Sequence, residues 1–305
     1  MRVSPSSFLL ERYLIMAKLG SIEAGGTKFI CALSDEKLNI IAKKRISTTT
    51  PEDTMHSIFD FFRENNPDAI GIGCFGPIGI NASQPTYGRI LSTPKQGWSN
   101  YNFLGTIKKE FNIPIYWTTD VNVAAYGEYK LGAGQGLENI VYWTVGTGIG
   151  AGAIVNGHLL RGLSHPEMGH MLITKNQYDH TKGTCRYHFD CLESLACGPA
   201  IEQRAGLNAQ DLVKTDKQWD MEAYYLAQAC VNVAMVLSPE RIIFGGGVSN
   251  QEQLFPKIRQ EFKKMLGNYL NLPDLKQYIV HAKLGNDAGT IGALLLAKVA
   301  LKKQS

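Results

Sequence analysis

The feature that most restricts this chain is a motif that occurs twice. Ile22-Glu23-Ala24-Gly25-Gly26-Thr27 and Thr144-Val145-Gly146-Thr147-Gly148 each set a tight glycine turn after a β-rich run. Each copy is followed by more strand patterns and then by alternating helix and strand periodicities. The repetition predicts a duplicated α/β architecture with a cleft between its halves; a single doubly wound sheet is the alternative. At 305 residues the chain has room for two domains of about 150 residues.

Residues 18–48 read as three strands. Thr50-Pro51 then starts a helix, with Thr as N-cap and Pro in the first turn. Ala69 to Phe75 is a buried strand, Leu104 to Phe111 a helix, Ile113 to Thr118 a strand and Val121 to Tyr129 a helix. The pattern restarts with strands Ile140 to Val145 and Ala151 to Val155, and Asn156-Gly157 signals a type I′ hairpin turn. Residues 163–191 are irregular and rich in His, Cys and Gly. Helical stretches follow at 193–205 and 220–237. Strand Arg241 to Phe244 ends in Gly245-Gly246-Gly247. Phe255 to Leu266 is amphipathic, Tyr278 to Ala282 a strand and Gly289 to Lys302 an apolar helix. Residues 1–15 look unlike the rest, so Met16 is expected to be the natural start.

Composition narrows the function classes. Hydrophobic residues at 44% and charged residues at 19% support a packed core and exclude a disordered tail. A net charge of +4 gives no reason to expect nucleic acid or a membrane surface as partner. Six cysteines in 305 residues make no disulfide scaffold, and no run reads as ~20 apolar residues. The expectation is a cytoplasmic protein with reduced thiols.

Neither glycine turn is a Walker A loop. Residues 146–151 fit the weak G-x-G-x-x-A dinucleotide pattern, but a hairpin follows instead of the required helix. A glycine turn between strands can instead converge main-chain N–H groups on an anion. Thr27 and Thr147 add hydroxyls. Taken singly, either turn is equally well an ordinary hairpin; two, with a third glycine turn at 245–247, favour phosphate binding. Asp120 stands between a strand and a helix, where Asp commonly caps. It also stands at the carboxyl end of a strand, where α/β sheets bind ligands and a carboxylate can deprotonate an attacking hydroxyl. Cys185-x-x-His188-x-x-Cys191 with His170 fits a closed tetrahedral zinc site, with His165 and His180 as rivals for the fourth ligand. Chance clustering of reduced Cys and surface His is the plain alternative.

Together these segments resemble the ROK sugar kinases. Gly20 to Lys28 resembles their first phosphate motif, Thr119 to Ala125 the segment with their catalytic aspartate, and Gly146 to Gly150 their second phosphate motif. His165-Pro166-Glu167-Met168-Gly169-His170 is similar to their ExGH sugar-and-zinc motif, and Arg241 to Val248 to their adenosine motif. The matches run in order from about residue 18 to 300. Thr93-Pro94-Lys95-Gln96-Gly97-Trp98 resembles the fructokinase branch. Glu23 stands where most members have Asp, Thr119 where glucokinases have Asn, and the Cys spacing differs from that of glucokinases and repressors. A direct glucokinase reading is thereby weakened.

The resemblance implies a two-domain actin-like, RNase-H-like α/β sugar kinase fold with an interdomain cleft. It implies an N-terminal domain at 16–120 to which helix 289–303 returns, and a C-terminal domain at 121–288 with a zinc loop at about 165–191. ATP with Mg²⁺ would bind through Gly25, Gly26, Thr27, Lys28, Gly146, Thr147 and Gly148. Pro199, Gly246, Gly247, Val248, Ser249 and Asn250 would border the adenosine. Asp120 would deprotonate the 6-hydroxyl of fructose, and Glu167 and Glu193 would bind sugar hydroxyls. Structural zinc at His170, Cys185, His188 and Cys191, and a homodimer, are also implied. The rival readings are a kinase for glucose, mannose or N-acetylmannosamine, and a non-catalytic sugar sensor. The repressors of the family need an N-terminal DNA-binding domain, for which the residues before the first motif leave no room.

Overall fold

The computed structural model describes residues 17–303. The expected extension at 1–15 and the expected start at Met16 lie outside the described residues. The strands form two separate sheets, which excludes a single doubly wound sheet. The first contains β1 (Leu19–Ala24), β2 (Lys28–Ser34), β3 (Ile40–Ser47), β4 (Ala69–Cys74) and β5 (Ile115–Thr119), in the order β3-β2-β1-β4-β5. The second contains β6 (Ile140–Val145), β7 (Ile149–Val155), β8 (His158–Leu159), β9 (Arg241–Gly245) and β10 (Ile279–His281), in the order β8-β7-β6-β9-β10. Counted from its own first strand, each sheet has the order 3-2-1-4-5. In each, three strands form an antiparallel meander and two more add in parallel.

Parallel neighbours need crossover connections, which helices supply. In chain order these are α1 (Pro51–Asn65), α2 (Phe103–Glu110), α3 (Asp120–Leu131), α4 (Leu192–Ala196), α5 (Gly198–Ala205), α6 (Gln218–Leu237), α7 (Leu254–Leu266), α8 (Leu275–Tyr278) and α9 (Ala288–Lys302). The chain divides into two compact units. Of the described residues, one holds 17–120 and 293–303; the other runs from Val121 to Gly292.

Local chemistry explains most boundaries. Thr50 caps α1 by accepting from the Asp53 amide, and Asn66 ends that helix with φ +48°. Every residue of β4 is buried, as a central parallel strand requires. A Cβ on Gly71 of β4 would lie 1.8 Å from the Ala293 carbonyl oxygen, so only glycine lets α9 pack this closely. The core of the first unit gathers Phe29, Phe62, Trp98, Phe103 and Trp117; that of the second gathers Trp143, Trp219, Tyr225, Phe244 and Phe262.

The helix expected at 193–205 is broken into α4 and α5 at Cys197, which is extended and flanks both. Pro199 has no amide to donate to a continuous helix, so it is accommodated in the first turn of a new one. The strand expected at 278–282 begins at Ile279, because Asp274 caps the short α8 through the Lys276 amide at 3.0 Å. Asn156 and Gly157 both have positive φ, as a type I′ turn demands.

Candidate active site

β1 and β2 are joined by Gly25-Gly26-Thr27. The Gly25 amide donates to the Lys28 carbonyl at 2.9 Å and closes the turn. Thr48, just past β3, holds it from outside: its hydroxyl donates to Gly25 O at 2.8 Å and its amide to Thr27 O at 3.1 Å. Among the described residues no group accepts from the amides of Gly26 or Thr27. Two successive unengaged N–H groups on a tight turn form a concave anion-binding surface.

The second turn repeats this arrangement. Gly146 N–H donates to Gly148 O at 3.0 Å, and Gly146 O accepts from the amide of Gly198, the first residue of α5, at 2.7 Å. The amides of Thr147 and Gly148 likewise lack an acceptor among the described residues. The Ile149 amide is engaged by Glu193 Oε2 at 2.9 Å, and a Cβ on Gly148 would lie 2.7 Å from that same oxygen. The third turn lies against the second. Gly246 has φ +86°, and a Cβ there would lie 2.5 Å from Val145 O. Asn250, in the 3₁₀ turn that follows, faces His281 with Oδ1 to Nε2 at 3.3 Å. Gly146 to Gly148, Gly198-Pro199 and Gly246 to Asn250 are thus brought around one spot at the ends of β6 and β9.

Asp120 directly follows β5 and opens α3. Helical geometry begins at Asp120 itself, so it is the first helical residue rather than the flanking cap. Its charge reaches Cys74 at the end of the neighbouring β4; burial foremost, and then this carboxylate, push the Cys74 thiol well up. Asp120 therefore stands at the carboxyl ends of two adjacent parallel strands, where the topology places ligands.

Glu167, His170 and Glu193 form a second group. Burial raises the Glu167 carboxyl above the usual carboxylate range, His170 opposes this, and the Glu193 charge adds to it. Glu193 Oε1 lies 3.9 Å from His170 Nε2. His170 thus faces Glu193 with one nitrogen and the cysteines with the other. Its Nδ1 is 3.7 Å from Cys185 Sγ and 3.6 Å from Cys191 Sγ, while His188 Nδ1 is 3.8 Å from Cys185 Sγ. Ligand atoms of all four residues lie within 4.8 Å of one another. Tetrahedral zinc with Zn–S of about 2.3 Å and Zn–N of about 2.0 Å sets S···N edges of about 3.5 Å, so the donor set and its spacing fit that ion.

His165 and His180 stand outside this cluster. His165 is buried, with Nδ1 3.4 Å from Asn122 Nδ2 in α3, and burial pulls its imidazole down to about 4, so it is neutral. Sequence gave no signal for this pairing, whose members are 43 residues apart. Glu193 carries a weak signal, an acid two residues after Cys191, but nothing local shows that it holds Ile149.

A duplicated 3-2-1-4-5 sheet with a glycine turn in each copy defines the two-domain actin-like ATPase fold. Comparison with known proteins agrees. A ROK hexokinase structure from Thermus thermophilus is similar with a TM-score of 0.78 and 25% identity, covering 94% of this chain and 99% of that one. The model of the ROK family matches residues 19–300, and the chain belongs to that family. The fructokinase of Pediococcus pentosaceus is 50% identical over 93% of this chain and 99% of its own length. That of Lactococcus lactis subsp. cremoris is 47% identical over 91% and 96%.

Proposed function

We propose that this chain transfers the terminal phosphoryl group of ATP to the 6-hydroxyl of D-fructose, giving D-fructose 6-phosphate and ADP. The observation that carries this reading is the 47–50% identity to fructokinases over at least 91% of the chain. The site chemistry agrees with it. Amides of Gly26, Thr27, Thr147 and Gly148 would hold phosphate oxygens, with Gly25, Lys28 and Gly146 completing the turns. Pro199 and the stretch Gly246, Gly247, Val248, Ser249 and Asn250 would border the adenosine. Glu167 and Glu193 would accept hydrogen bonds from sugar hydroxyls.

Asp120 would take the proton of the 6-hydroxyl as that oxygen bonds to the γ-phosphorus and the bond to the β–γ bridging oxygen breaks. Such a transfer depends on positioning and charge stabilisation more than on covalent help from the protein. Mg²⁺ accompanying ATP would neutralise phosphate charge, drawing ligands largely from phosphate oxygens and water.

Zinc is assigned to His170, Cys185, His188 and Cys191, four protein ligands and so a structural site. Burial foremost holds the Cys191 thiol up, near 12, and a bound cation would reverse that cost. The homodimer and a reducing, cytoplasmic setting complete the reading. All six cysteines are free, and among the described residues no helix is long and apolar enough to cross a membrane.

The test is ADP release over a panel of fructose, glucose, mannose and N-acetylmannosamine. Fructose is expected to give the highest kcat/KM. A higher value for another hexose, or release independent of sugar, overturns the assignment.

A further inference from the structure

Lys95, in the stretch Thr93 to Trp98, has been given no role so far, yet it lies over the first glycine turn. A Cβ placed on Gly26 would be 3.2 Å from Lys95 Cε and 3.9 Å from its Nζ. The ammonium group therefore stands next to Gly26, which carries one of the two unengaged amides of that turn. Among the described residues no carboxylate lies within ion-pair distance of it.

The lysine is held there by a rigid frame. Residues 95–98 form a tight turn closed by the Trp98 amide on Lys95 O at 3.1 Å, with Gly97 at φ +79°. A Cβ on Gly97 would press on Pro51 at 2.9 Å. Trp98 is buried, its ring centroid 5.4 Å from Phe29 and 6.1 Å from Phe103. Phe29 lies on β2, two residues beyond Thr27. Trp98 Nε1 also donates to Thr49 O at 2.8 Å, next to the Thr48 that clamps the glycine turn. One dipeptide, Thr48-Thr49, thus fixes both the turn and the tryptophan that carries Lys95.

A cation fixed beside two main-chain donors is a site for phosphate oxygens. We propose that Lys95 contacts the phosphoryl group in transfer and stabilises the negative charge on its oxygens, a role that rests on the phosphotransferase reading above. The same phosphoryl group is the end of ATP before the reaction and the end of the sugar phosphate after it. Lys95 should therefore sense the phosphate on both ligands and neither fructose nor a nucleotide cut short.

Calorimetric titration of wild type and Lys95→Met with four ligands tests this. Loss of one charge-assisted contact predicts about tenfold weaker binding of AMPPNP and of fructose 6-phosphate, with AMP and fructose within about twofold. The kcat should fall by about a hundredfold. Lys95→Arg, which keeps the charge, should restore most of the phosphate-ligand affinity and guards against a folding defect in the first variant. Equal losses on all four ligands, a loss on fructose, or no loss at all would overturn the proposal. A wild type that binds AMPPNP but not fructose would instead end the fructokinase reading, with the AMPPNP-against-AMP comparison still deciding the role of Lys95.

Discussion

Asp120→Asn removes a proton acceptor while keeping nearly the same side-chain volume and a residue well suited to a helix start. The helix α3 should persist, so the change isolates the chemistry. The kcat is expected to fall by about 10²–10⁴-fold, with AMPPNP affinity within about twofold, measured by steady-state kinetics and titration. Turnover within tenfold of wild type would remove Asp120 as the base. Residues of this kind were partly legible in the sequence. The glycine turns and the position of Asp120 could be read because both are chain-local facts: a tight turn, and a strand followed by a helix. The Asn122–His165 pair and the Glu193–Ile149 contact could not, since each joins residues more than 40 positions apart. His165 was open as a metal ligand only because an isolated histidine has no sequence feature that tells a buried neutral ring from a ligating one.

At the scale of elements, the segment from Met171 to Cys191 has no helix or strand of its own. It is pinned at one point by a bridge between Leu172 and Cys191 and at another by Gln228, which engages both the amide and the carbonyl of Thr174. Its irregularity was legible, for it has no sustained period; the ties to α6 were not, for they come from side chains far along the chain. If zinc closes this segment, chelation should lower the melting temperature by several degrees and open the segment to protease first. Metal analysis is expected to give about one zinc per chain; metal-free protein with unchanged melting would end that reading.

A second tie to α6 runs through a cluster of charged side chains. Asp179 accepts from Tyr225 OH at 2.7 Å and lies 3.8 Å from Arg204, which also pairs with the fully buried Glu222 at 2.9 Å. Two carboxyl groups thus share one guanidinium. Burial foremost raises the Glu222 carboxyl to about 8, against the pull of Arg204. The folded protein keeps this proton to about pH 8, whereas the ordinary carboxyl loses it near 4.5. The stability it contributes is therefore full below 4.5 and is lost as pH rises through 8. In urea unfolding between pH 5 and 9, Glu222→Gln should flatten that decline and exceed wild type by about 1 kcal/mol at the alkaline end. Parallel profiles for the two proteins would exclude the titration.

The architecture of the whole chain was legible because duplication shows as a repeated local motif, and one strand order then generated both sheets. Assembly leaves no such local trace and has to be read from the surface. Val236, Leu172 and Phe189 are each at least 70% exposed, and Met235 is 45% exposed. They are neighbours: Asn232, on the turn of α6 before Met235 and Val236, contacts the sulfur of Met171, and Leu172 pairs with Cys191 beside Phe189. Tyr178 and Tyr187, in the same segment of the chain, are also exposed. An aromatic ring and three aliphatic side chains of this kind can form the apolar centre of an interface. Exposed apolar side chains clustered in this way call for cover, and a two-fold axis lets a second copy provide it with the same residues. The protein is therefore expected to sediment as a dimer. Phe189→Glu with Val236→Glu should shift it to a monomer while leaving its far-ultraviolet spectrum unchanged; a double variant that remains a dimer would move the interface elsewhere.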